Sequence, residues 1–367
     1  MESFIKGMDL STLLEVEECG GRFADGEIKA DAMTLLRGNG MNLVRLRLWN
    51  DPYTPDGEAY GAGTCDLPRV MTLARRARAL GAQWLLDFHY SDFWADPGKQ
   101  VPPKAWRDLD LPGLERAVRD YTFSVLTVLR EARLAPAVVA VGNEITNGLL
   151  WPAGRAQDVP AMTRLISAGI RAVREASPRS RVMLHLDAGG NKEICRGWFD
   201  GYLAAGGEDF DLIGVSYYPY WHGGIDDLRA NLASLSRYGK GIVVAEVSAA
   251  FTLEDYRRFE ALPPEGFKGM AANAQIARRC PFPATPQGQS DFIRAVMQTV
   301  RETPDGLGRG IIWWEPAWLP VPGSHWASDA AIAYMHEKGP GGNEWANQAL
   351  FDYEGRALPA QRTIRDF

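Results

Sequence analysis

Two glutamates lie within or directly after apolar runs, where a carboxylate is not expected. Glu144 directly follows the apolar run VVAVGN, and Glu246 lies inside the apolar run VVAEVS. Burying an unpaired carboxylate costs several kcal/mol, so Glu246 needs partners that offset its burial, whereas Glu144 alone could simply turn toward solvent. As a pair they suit glycoside hydrolysis, in which one carboxyl protonates the leaving oxygen and the other attacks the anomeric carbon. A separation of about 5–5.5 Å would predict retention of configuration.

Other side chains near these runs could assist the two carboxylates. Arg45 and Arg47 lie two residues apart and project from the same face of one strand, so one of them is expected to point at the carboxylates. Tyr217 and Tyr218 are candidate hydroxyl donors, and Asn143 suits a hydrogen bond to a sugar hydroxyl. A lone histidine at a strand end is commonly structural, but His89 and His185 each lie close to other polar or aromatic residues. We therefore treat these histidines and their neighbours as further candidates for sugar contact: His89, Asp92, Trp94, His185 and Asp187.

Short apolar runs alternate with amphipathic helical patterns along the chain. The predicted strands are residues 4–9, 43–49, 83–89, 137–143, 181–187, 211–217, 241–247 and 309–315. Most of them are continuously apolar, as parallel strands buried on both faces are. The clearest helices are predicted over residues 67–82 and 114–134, and Gly81 is a helix-stop signal near the end of the first.

This alternation predicts a (β/α)8 barrel with extended loops, and residues 1–367 are expected to form a single catalytic domain. A doubly wound open sheet would require a glycine-rich phosphate loop after an early strand, and Gly20–Arg22 does not follow one. In barrels of this class the chemistry lies at the carboxyl ends of the strands. All eight predicted ends carry polar or aromatic residues: Asp9, Arg45 and Arg47, His89, Asn143 and Glu144, His185 and Asp187, Tyr217 and Tyr218, Glu246, and Trp314 and Glu315.

Composition narrows the function classes. The chain has 46% hydrophobic and 23% charged residues and a net charge of −6, with scattered basic residues, so neither nucleic acid nor a membrane is an expected partner. The four cysteines form no CxxC pair, and no HExxH motif or GxSxG elbow occurs, so no cofactor or catalytic metal and no serine nucleophile is predicted. The N-terminus has no signal-peptide pattern, which favours a cytoplasmic location if the chain is complete.

Tryptophan residues are unusually frequent in this chain, and many of them lie in polar, Gly/Pro-rich stretches. Flat indole faces in loops are typical of surfaces that stack against sugar rings. The loop tryptophans are Trp94, Trp106, Trp151, Trp221, Trp318, Trp326 and Trp345.

These motifs resemble glycoside hydrolase family 53, the endo-β-1,4-galactanases, nearly from end to end. The matching segments are GMDLS (7–11), VRLRLWNDP (44–52), DFHYSDFWADPGKQVPPKAW (87–106), VGNEITNGLLWP (141–152), MLHLDAGG (183–190), GVSYYPYW (214–221), VVAEVS (243–248), TPQGQ (285–289), IIWWEPAW (311–318) and NEWANQALFD (343–352). The resemblance implies that Glu144 is the acid/base and Glu246 the nucleophile. It also implies substrate contacts from His89, Asp92, Trp94, Asn143, Tyr218 and Trp314, with Arg45 as the strand-two arginine of the clan. Asp9 and Arg45, both at strand ends, are also expected to contact the substrate.

The implied substrate is β-1,4-linked galactan of pectin side chains, cut internally, and members of the family mostly act outside the cell. We expect the protein to be a monomer. The chain departs from bacterial members in the loop over residues 249–289, where Glu254 and Asp255 are not followed by a calcium-ligand set, so no calcium is predicted there. Two alternatives stay open: an enzyme that trims short galacto-oligosaccharides, and a non-catalytic carbohydrate-binding barrel. A lyase or aldolase barrel would need a strand-end lysine, which the predicted strands lack.

Overall fold

Eight parallel strands form a closed barrel in the computed structural model, which describes residues 3–258, 270–338 and 341–367. The barrel strands are β1 (Ile5–Asp9), β2 (Leu43–Leu48), β3 (Gln83–Phe88), β4 (Val138–Val141), β5 (Arg181–Leu186), β6 (Leu212–Tyr217), β7 (Gly241–Val247) and β8 (Gly308–Trp313). Each strand pairs with its neighbours in chain order, and β1 closes the barrel by pairing with β8. The predicted (β/α)8 barrel is confirmed.

Helices lie between and around the strands. Their bounds are Leu13–Glu18, Ala32–Gly38, Leu67–Ala79, Leu111–Glu131, Val159–Ala176, Lys192–Ala204, Ile225–Leu235, Ala274–Ala277, Pro286–Arg301, Asp329–Met335 and Pro359–Asp366. The helix predicted from residue 114 begins at Leu111, because Asp110 caps it by accepting from the backbone N–H of Gly113 and a proline follows within the first turn. Two short antiparallel pairs, Phe23–Asp25 with Ile28–Ala30 and Gly148–Leu149 with Gly154–Arg155, lie outside the barrel.

The barrel interior has an apolar layer that supports a polar one. Small and branched side chains from all eight strands fill the apolar layer: Ile5, Leu43, Leu85, Val138, Ala140, Met183, Leu212, Val243, Ala245 and Ile312. The polar side chains occupy later positions on the same strands, as in the inward-facing pair Arg45 and Asp87. The closed barrel therefore brings together strand ends that are far apart in the sequence.

The strand that leads to Glu144 ends earlier than predicted, at Val141. Gly142 has φ of +89°, and a Cβ added there would lie 2.6 Å from the side chain of Ile145. Glu144 itself has φ of +48°, the left-handed region that non-glycine residues rarely adopt. This sharp turn aims the Glu144 side chain across the barrel mouth instead of continuing the strand.

All four cysteines are free thiols. No helix in the described residues is long and apolar enough to cross a membrane. The loop for which no calcium is predicted is described only in part, because residues 259–269 lie outside the described residues. In its described part, Glu254 and Asp255 are paired with Arg258 and Arg257.

Candidate active site

A cavity of about 400 Å³ opens at the carboxyl ends of the barrel strands. Both sequence-predicted carboxylates, Glu144 and Glu246, line it. The predicted contacts that also line it are His89, Trp94, Asn143, Asp187, Tyr218 and Trp314. The remaining lining residues are Arg47, Ala95, Asp96, Pro97, Lys99, Trp221, His222, Trp318, Trp326, Glu337, Glu344 and Trp345.

Glu246 lies near the end of β7 and is held from two sides. Nη2 of Arg45 is 2.7 Å from its Oε1, and the hydroxyl of Tyr218 donates to its Oε2 at 2.7 Å. Burial raises the pKa of Glu246, while the Arg45 guanidinium and the Tyr218 hydroxyl oppose that rise by stabilising the ionised form. A buried carboxylate that keeps its charge next to a cation is well suited to nucleophilic attack.

Glu144 has no cation within ion-pair distance in the described structure. The closest side-chain partner of its Oε1 is the Oγ of Ser216, at 2.6 Å. Burial raises the pKa of Glu144 well above its usual value, and repulsion from Glu246 and Asp187 raises it further. Glu144 is therefore the carboxyl of this pair that binds a proton more readily.

The separation of the two carboxyls fits a single reaction centre. One oxygen of Glu144, one oxygen of Glu246 and a ring nitrogen of His185 all lie within 4.8 Å of one another. Oxygens this close are compatible with the carboxyl separation of about 5–5.5 Å in retaining glycosidases, whereas inverting enzymes need about 6.5–9.5 Å to leave room for a water molecule. The three groups also have the spacing of a metal site, but the Arg45 guanidinium already neutralises Glu246, which disfavours a second cation.

Arg45 is the arginine that reaches the carboxylate pair, and its position depends on buried partners. Nη1 contacts Asp9 at 2.7 Å, and Nη2 contacts Asp87 at 2.7 Å and Oδ1 of Asn143 at 2.8 Å. Strand register explains part of this set, since Asp9 pairs directly with Arg45 between β1 and β2. Arg45 and Asp9 lie beneath the cavity without lining it, so their geometry supports positioning and does not support the predicted sugar contact.

Arg47 has a different role from that of Arg45. Its Nη1 contacts Glu315 at 2.6 Å and Asp9 at 3.3 Å, and its guanidinium carbon lies 4.5 Å from the ring centroid of Trp94 and 5.7 Å from that of Trp314. Such contacts favour a cation next to an indole face. Arg47, which itself reaches the cavity wall, thus supports the indole rings of Trp94 and Trp314.

Three further predicted contacts do not line the cavity. Asp92 is fully buried and accepts from the backbone N–H groups of Asp51 and Lys104, so it holds two loops together. Tyr217 is buried against Phe292 and donates to the carbonyl of Gly223, because alternation along β6 directs it away from the barrel mouth. His185 lies behind Asn143 and Ser216 and contacts both of them.

His89 faces the cavity as a neutral imidazole. Its Nδ1 accepts from the indole N–H of Trp49 and the backbone N–H of Ala95, so its hydrogen is on Nε2, 3.3 Å from Oδ2 of Asp87. Burial lowers the pKa of His89, and the Asp87 carboxylate opposes that change.

Aromatic rings form a nearly continuous wall around the carboxylates. Trp314 lies 4.7 Å from Trp345 and 6.1 Å from Trp94 between ring centroids, and Tyr218 lies 5.4 Å from Trp345. Trp221 extends the wall outward with 45% of its surface exposed. Of the loop tryptophans identified in the sequence, Trp94, Trp221, Trp318, Trp326 and Trp345 line the cavity. Trp106 packs against Tyr90 and Tyr121 instead, and the ring of Trp151 is covered by Arg155.

Several site residues were not identified from the sequence. Asp87 carried a usable signal, because it is an acid in the apolar run WLLDF, the same feature that distinguished Glu246. Ser216 carried a weaker one, a hydroxyl inside the apolar run LIGVSY. The loop residues Asp96, Lys99, His222, Glu337 and Glu344 carried no such local signal, because only the folded loops bring them to the cavity. Asp96, Lys99 and Glu344 do lie within the matching segments 87–106 and 343–352, which could have drawn attention to them.

Comparison with known proteins places the chain among carbohydrate-active enzymes. The family model described as glycosyl hydrolase family 53 matches residues 5–364. An endo-β-1,4-galactanase of Bacillus subtilis is 36% identical over 99% of this chain and 86% of its own length. The family 53 catalytic domain from Ignisphaera aggregans has 38% identity and a TM-score of 0.89, covering 99% of this chain and 96% of its own. A structure from a study of two fungal β-1,4-galactanases has 27% identity and a TM-score of 0.79, covering 98% of each chain.

Proposed function

This chain belongs to glycosyl hydrolase family 53, and we propose that it is an endo-β-1,4-galactanase that retains anomeric configuration. The observation that carries this proposal is a pair of carboxyls with opposite surroundings. Glu144 has no cation at ion-pair distance among the residues that the structure describes, whereas Glu246 lies between Arg45 and Tyr218. The substrate is extended to this chain from relatives that are named for activity on β-1,4-galactan.

In the first step, an oxygen of Glu246 attacks the anomeric carbon of the bound sugar. The bond from that carbon to the glycosidic oxygen breaks, and Glu144 gives its proton to the departing oxygen. The products are a sugar esterified to Glu246 and a free leaving-group sugar. Positive charge develops on the sugar ring during this step, so the ionised Glu246 stabilises the transition state as it attacks.

In the second step, the ionised Glu144 removes a proton from a water molecule whose oxygen attacks the same carbon from the opposite side. The ester bond to Glu246 breaks, and two inversions give net retention. Glu144 regains its proton and Glu246 regains its charge. The proposed cycle needs no cofactor or metal ion.

The cavity walls suggest how the sugar is held. We assign His89 and Asn143 to hydroxyl contacts beside Glu246, and Trp94 and Trp314 to stacking against the apolar face of a sugar ring. Asp187 lies near Glu144, since its backbone N–H donates to Oγ1 of Thr146 and its carboxylate acts on the pKa of Glu144. We therefore assign Asp187 to the leaving-group sugar, whose glycosidic oxygen Glu144 protonates. We further propose that the enzyme acts as a monomer, without a nucleic-acid or membrane partner.

The substrate claim is tested by incubating the protein separately with linear β-1,4-galactan, mannan, xylan and glucan. Release of reducing ends from galactan alone, with a rapid fall in viscosity, is expected of an endo-acting galactanase. Cleavage of another glycan but not galactan would reject the substrate and leave the two-carboxylate mechanism in place. Binding of galactan without turnover at any pH would favour the non-catalytic alternative.

A trimming enzyme is the second candidate. Galacto-oligosaccharides of defined length distinguish it, because an endo enzyme cuts internal bonds first, whereas a trimming enzyme releases one product size from the start.

A further inference from the structure

Four buried polar groups form a continuous chain behind the cavity, from Asn143 through His185 and Ser216 to Glu144. Oδ1 of Asn143 lies 3.0 Å from Nδ1 of His185, whose Nε2 lies 2.9 Å from Oγ of Ser216. The same Oγ lies 2.6 Å from Oε1 of Glu144. All three contacts are within hydrogen-bond distance, so each must contain one hydrogen. Counting the available hydrogens determines where each one lies.

The amide of Asn143 has a fixed orientation. Its Nδ2 donates to the carbonyl of Ala95 at 2.8 Å, and its Oδ1 accepts from Nη2 of Arg45 at 2.8 Å. A guanidinium can only donate, and a carbonyl can only accept. The Asn143 atom that faces His185 is therefore an acceptor, and Nδ1 of His185 must carry the hydrogen.

His185 is neutral, so its other nitrogen has a lone pair. The ring is buried next to the Arg45 guanidinium, and burial together with that charge lowers the pKa of His185 to about 3. With the hydrogen on Nδ1, Nε2 can only accept. The contact between His185 and Ser216 therefore uses the hydroxyl hydrogen of Ser216.

A serine hydroxyl has one hydrogen, and Ser216 donates that hydrogen to Nε2 of His185. The Ser216 oxygen then faces Oε1 of Glu144 with lone pairs only, and two acceptors 2.6 Å apart would repel each other. A proton on Oε1 of Glu144 completes the chain. We propose that Ser216 and His185 are positioning residues that hold Glu144 in its protonated form in the resting enzyme. This inference rests on the proposed function of Glu144 as the acid/base.

The same serine serves the second half of the reaction. Rotation of the carboxyl about its terminal carbon–carbon bond brings the protonated oxygen of Glu144 to the cavity, where the proton passes to the leaving oxygen. The Ser216 hydroxyl then turns from His185 toward the new carboxylate and donates to it. The hydroxyl thus stabilises the acid form before proton transfer and the base form after it, and the four groups gain or lose no proton beyond the one that is transferred.

Other charged and titratable groups also act on Glu144. They are Glu246 on β7, Asp187 after β5, Asp96 in the loop after β3, and Tyr218 after β6. The three carboxylates raise the pKa of Glu144 by repulsion, a through-space effect that does not depend on the orientation of the Ser216 hydroxyl. Only the hydrogen-bond chain predicts a particular tautomer of His185, which makes that tautomer the most specific readout.

The tautomer is measured on the full-length protein labelled with ¹⁵N-histidine. The His185 resonances, assigned by their loss in His185→Phe, should show hydrogen on Nδ1 and a hydrogen-bonded, unprotonated Nε2. Hydrogen on Nε2 would overturn the proposal, because Ser216 could then donate to Glu144 in the resting state. This readout requires no substrate, so it stands apart from the test of the galactanase activity.

The functional readout is the alkaline limb of kcat/KM, measured on whichever glycan the wild-type enzyme cleaves. Ser216→Ala removes the acceptor for the Glu144 proton, so the limb should move to lower pH by about 0.5–1 unit. His185→Phe frees the Ser216 hydroxyl to donate to the Glu144 carboxylate, so it should move the limb in the same direction. Ser248→Ala is the matched control, since Ser248 is also buried at a strand end but bonds to Gln348. A limb that stays in place or moves to higher pH in Ser216→Ala would contradict the proposal.

Discussion

The surroundings of Glu246 and those of Glu144 differ although the two carboxyls share one cavity. Around Glu246, a guanidinium and a phenol hydroxyl approach the two oxygens, and Asp9 and Asp87 fix the guanidinium. Glu144 is buried beside a serine hydroxyl, and the three carboxylates of Glu246, Asp187 and Asp96 repel its charged form. Two identical side chains thus differ in how readily they bind a proton, because a cation and a hydroxyl donor contact one of them whereas nearby carboxylates repel the charge of the other. Roles in this site are set by neighbours and not by residue type.

Replacing either glutamate should have the largest effect on turnover. Glu246→Ala is expected to lower turnover of the natural glycan by roughly 10⁴-fold or more, and Glu144→Ala by roughly 10²–10⁴-fold. With an activated aryl glycoside, Glu144→Ala should still form the glycosyl-enzyme, because a good leaving group does not need the acid. Exposed Glu302, replaced by alanine, is the control and should leave turnover unchanged.

Added azide then separates the two roles by product. Azide in Glu144→Ala replaces the water of the second step and should give a β-glycosyl azide. Azide in Glu246→Ala replaces the nucleophile and should give the α-anomer. The opposite pair of anomers, identified by NMR, would reverse the assignment.

Arg45→Lys should reduce the difference in pKa between Glu144 and Glu246. A lysine keeps one positive charge but cannot contact Asp9, Asp87 and Glu246 together. The Arg45 guanidinium lowers the pKa of Glu246, so its replacement should raise that pKa and move the acid limb of kcat/KM to higher pH. The rate should fall by about 10²-fold, as for the loss of one strong stabilising group. Arg76→Lys is a fitting control, since Arg76 also bridges two carboxylates but lies far from the cavity. An unchanged acid limb would show that Arg45 does not set the ionisation of Glu246.

Of these substitutions, Asp187→Asn should change the activity and its pH dependence the least. Removing its negative charge removes part of the repulsion that raises the pKa of Glu144, so the alkaline limb should move to lower pH. Because Asp187 is partly exposed, screening should reduce this shift at high salt. The shift is measured from the pH dependence of kcat/KM at two ionic strengths. A shift of the alkaline limb toward higher pH would show that Asp187 does not raise the pKa of Glu144.

Sequence patterns predicted the barrel and both glutamates because these depend on local rules. Apolar runs mark buried parallel strands, and an acid within such a run, as in VVAEVS, marks a group that must be paired. The same rule, applied to WLLDF, would have identified Asp87. Strand spacing could not decide between Arg45 and Arg47, because both project from one face and only the closed barrel shows which carboxylate each one reaches.

Other site features depend on three-dimensional relations that the sequence does not carry. Ser216 faces Glu144 because β6 and β4 meet β5 on opposite sides and His185 lies between them. Asp92 seemed suited to sugar contact beside Trp94, but its carboxylate is used by two backbone N–H groups. The rim residues Lys99 and Glu337 form an ion pair of 3.0 Å across 238 positions, which no local pattern indicates.

Trapping of the covalent intermediate tests the division of roles most directly. The wild-type enzyme is incubated with an activated 2-deoxy-2-fluoro β-glycoside of the cleaved sugar, whose fluorine slows both steps by destabilising their oxocarbenium-like transition states. The good leaving group keeps the first step fast enough for the covalent intermediate to accumulate. Mass spectrometry of the intact protein should show one added glycosyl group, and peptide mapping should place it on Glu246. A label on Glu144, or complete turnover to the α-anomer with no adduct, would contradict the account.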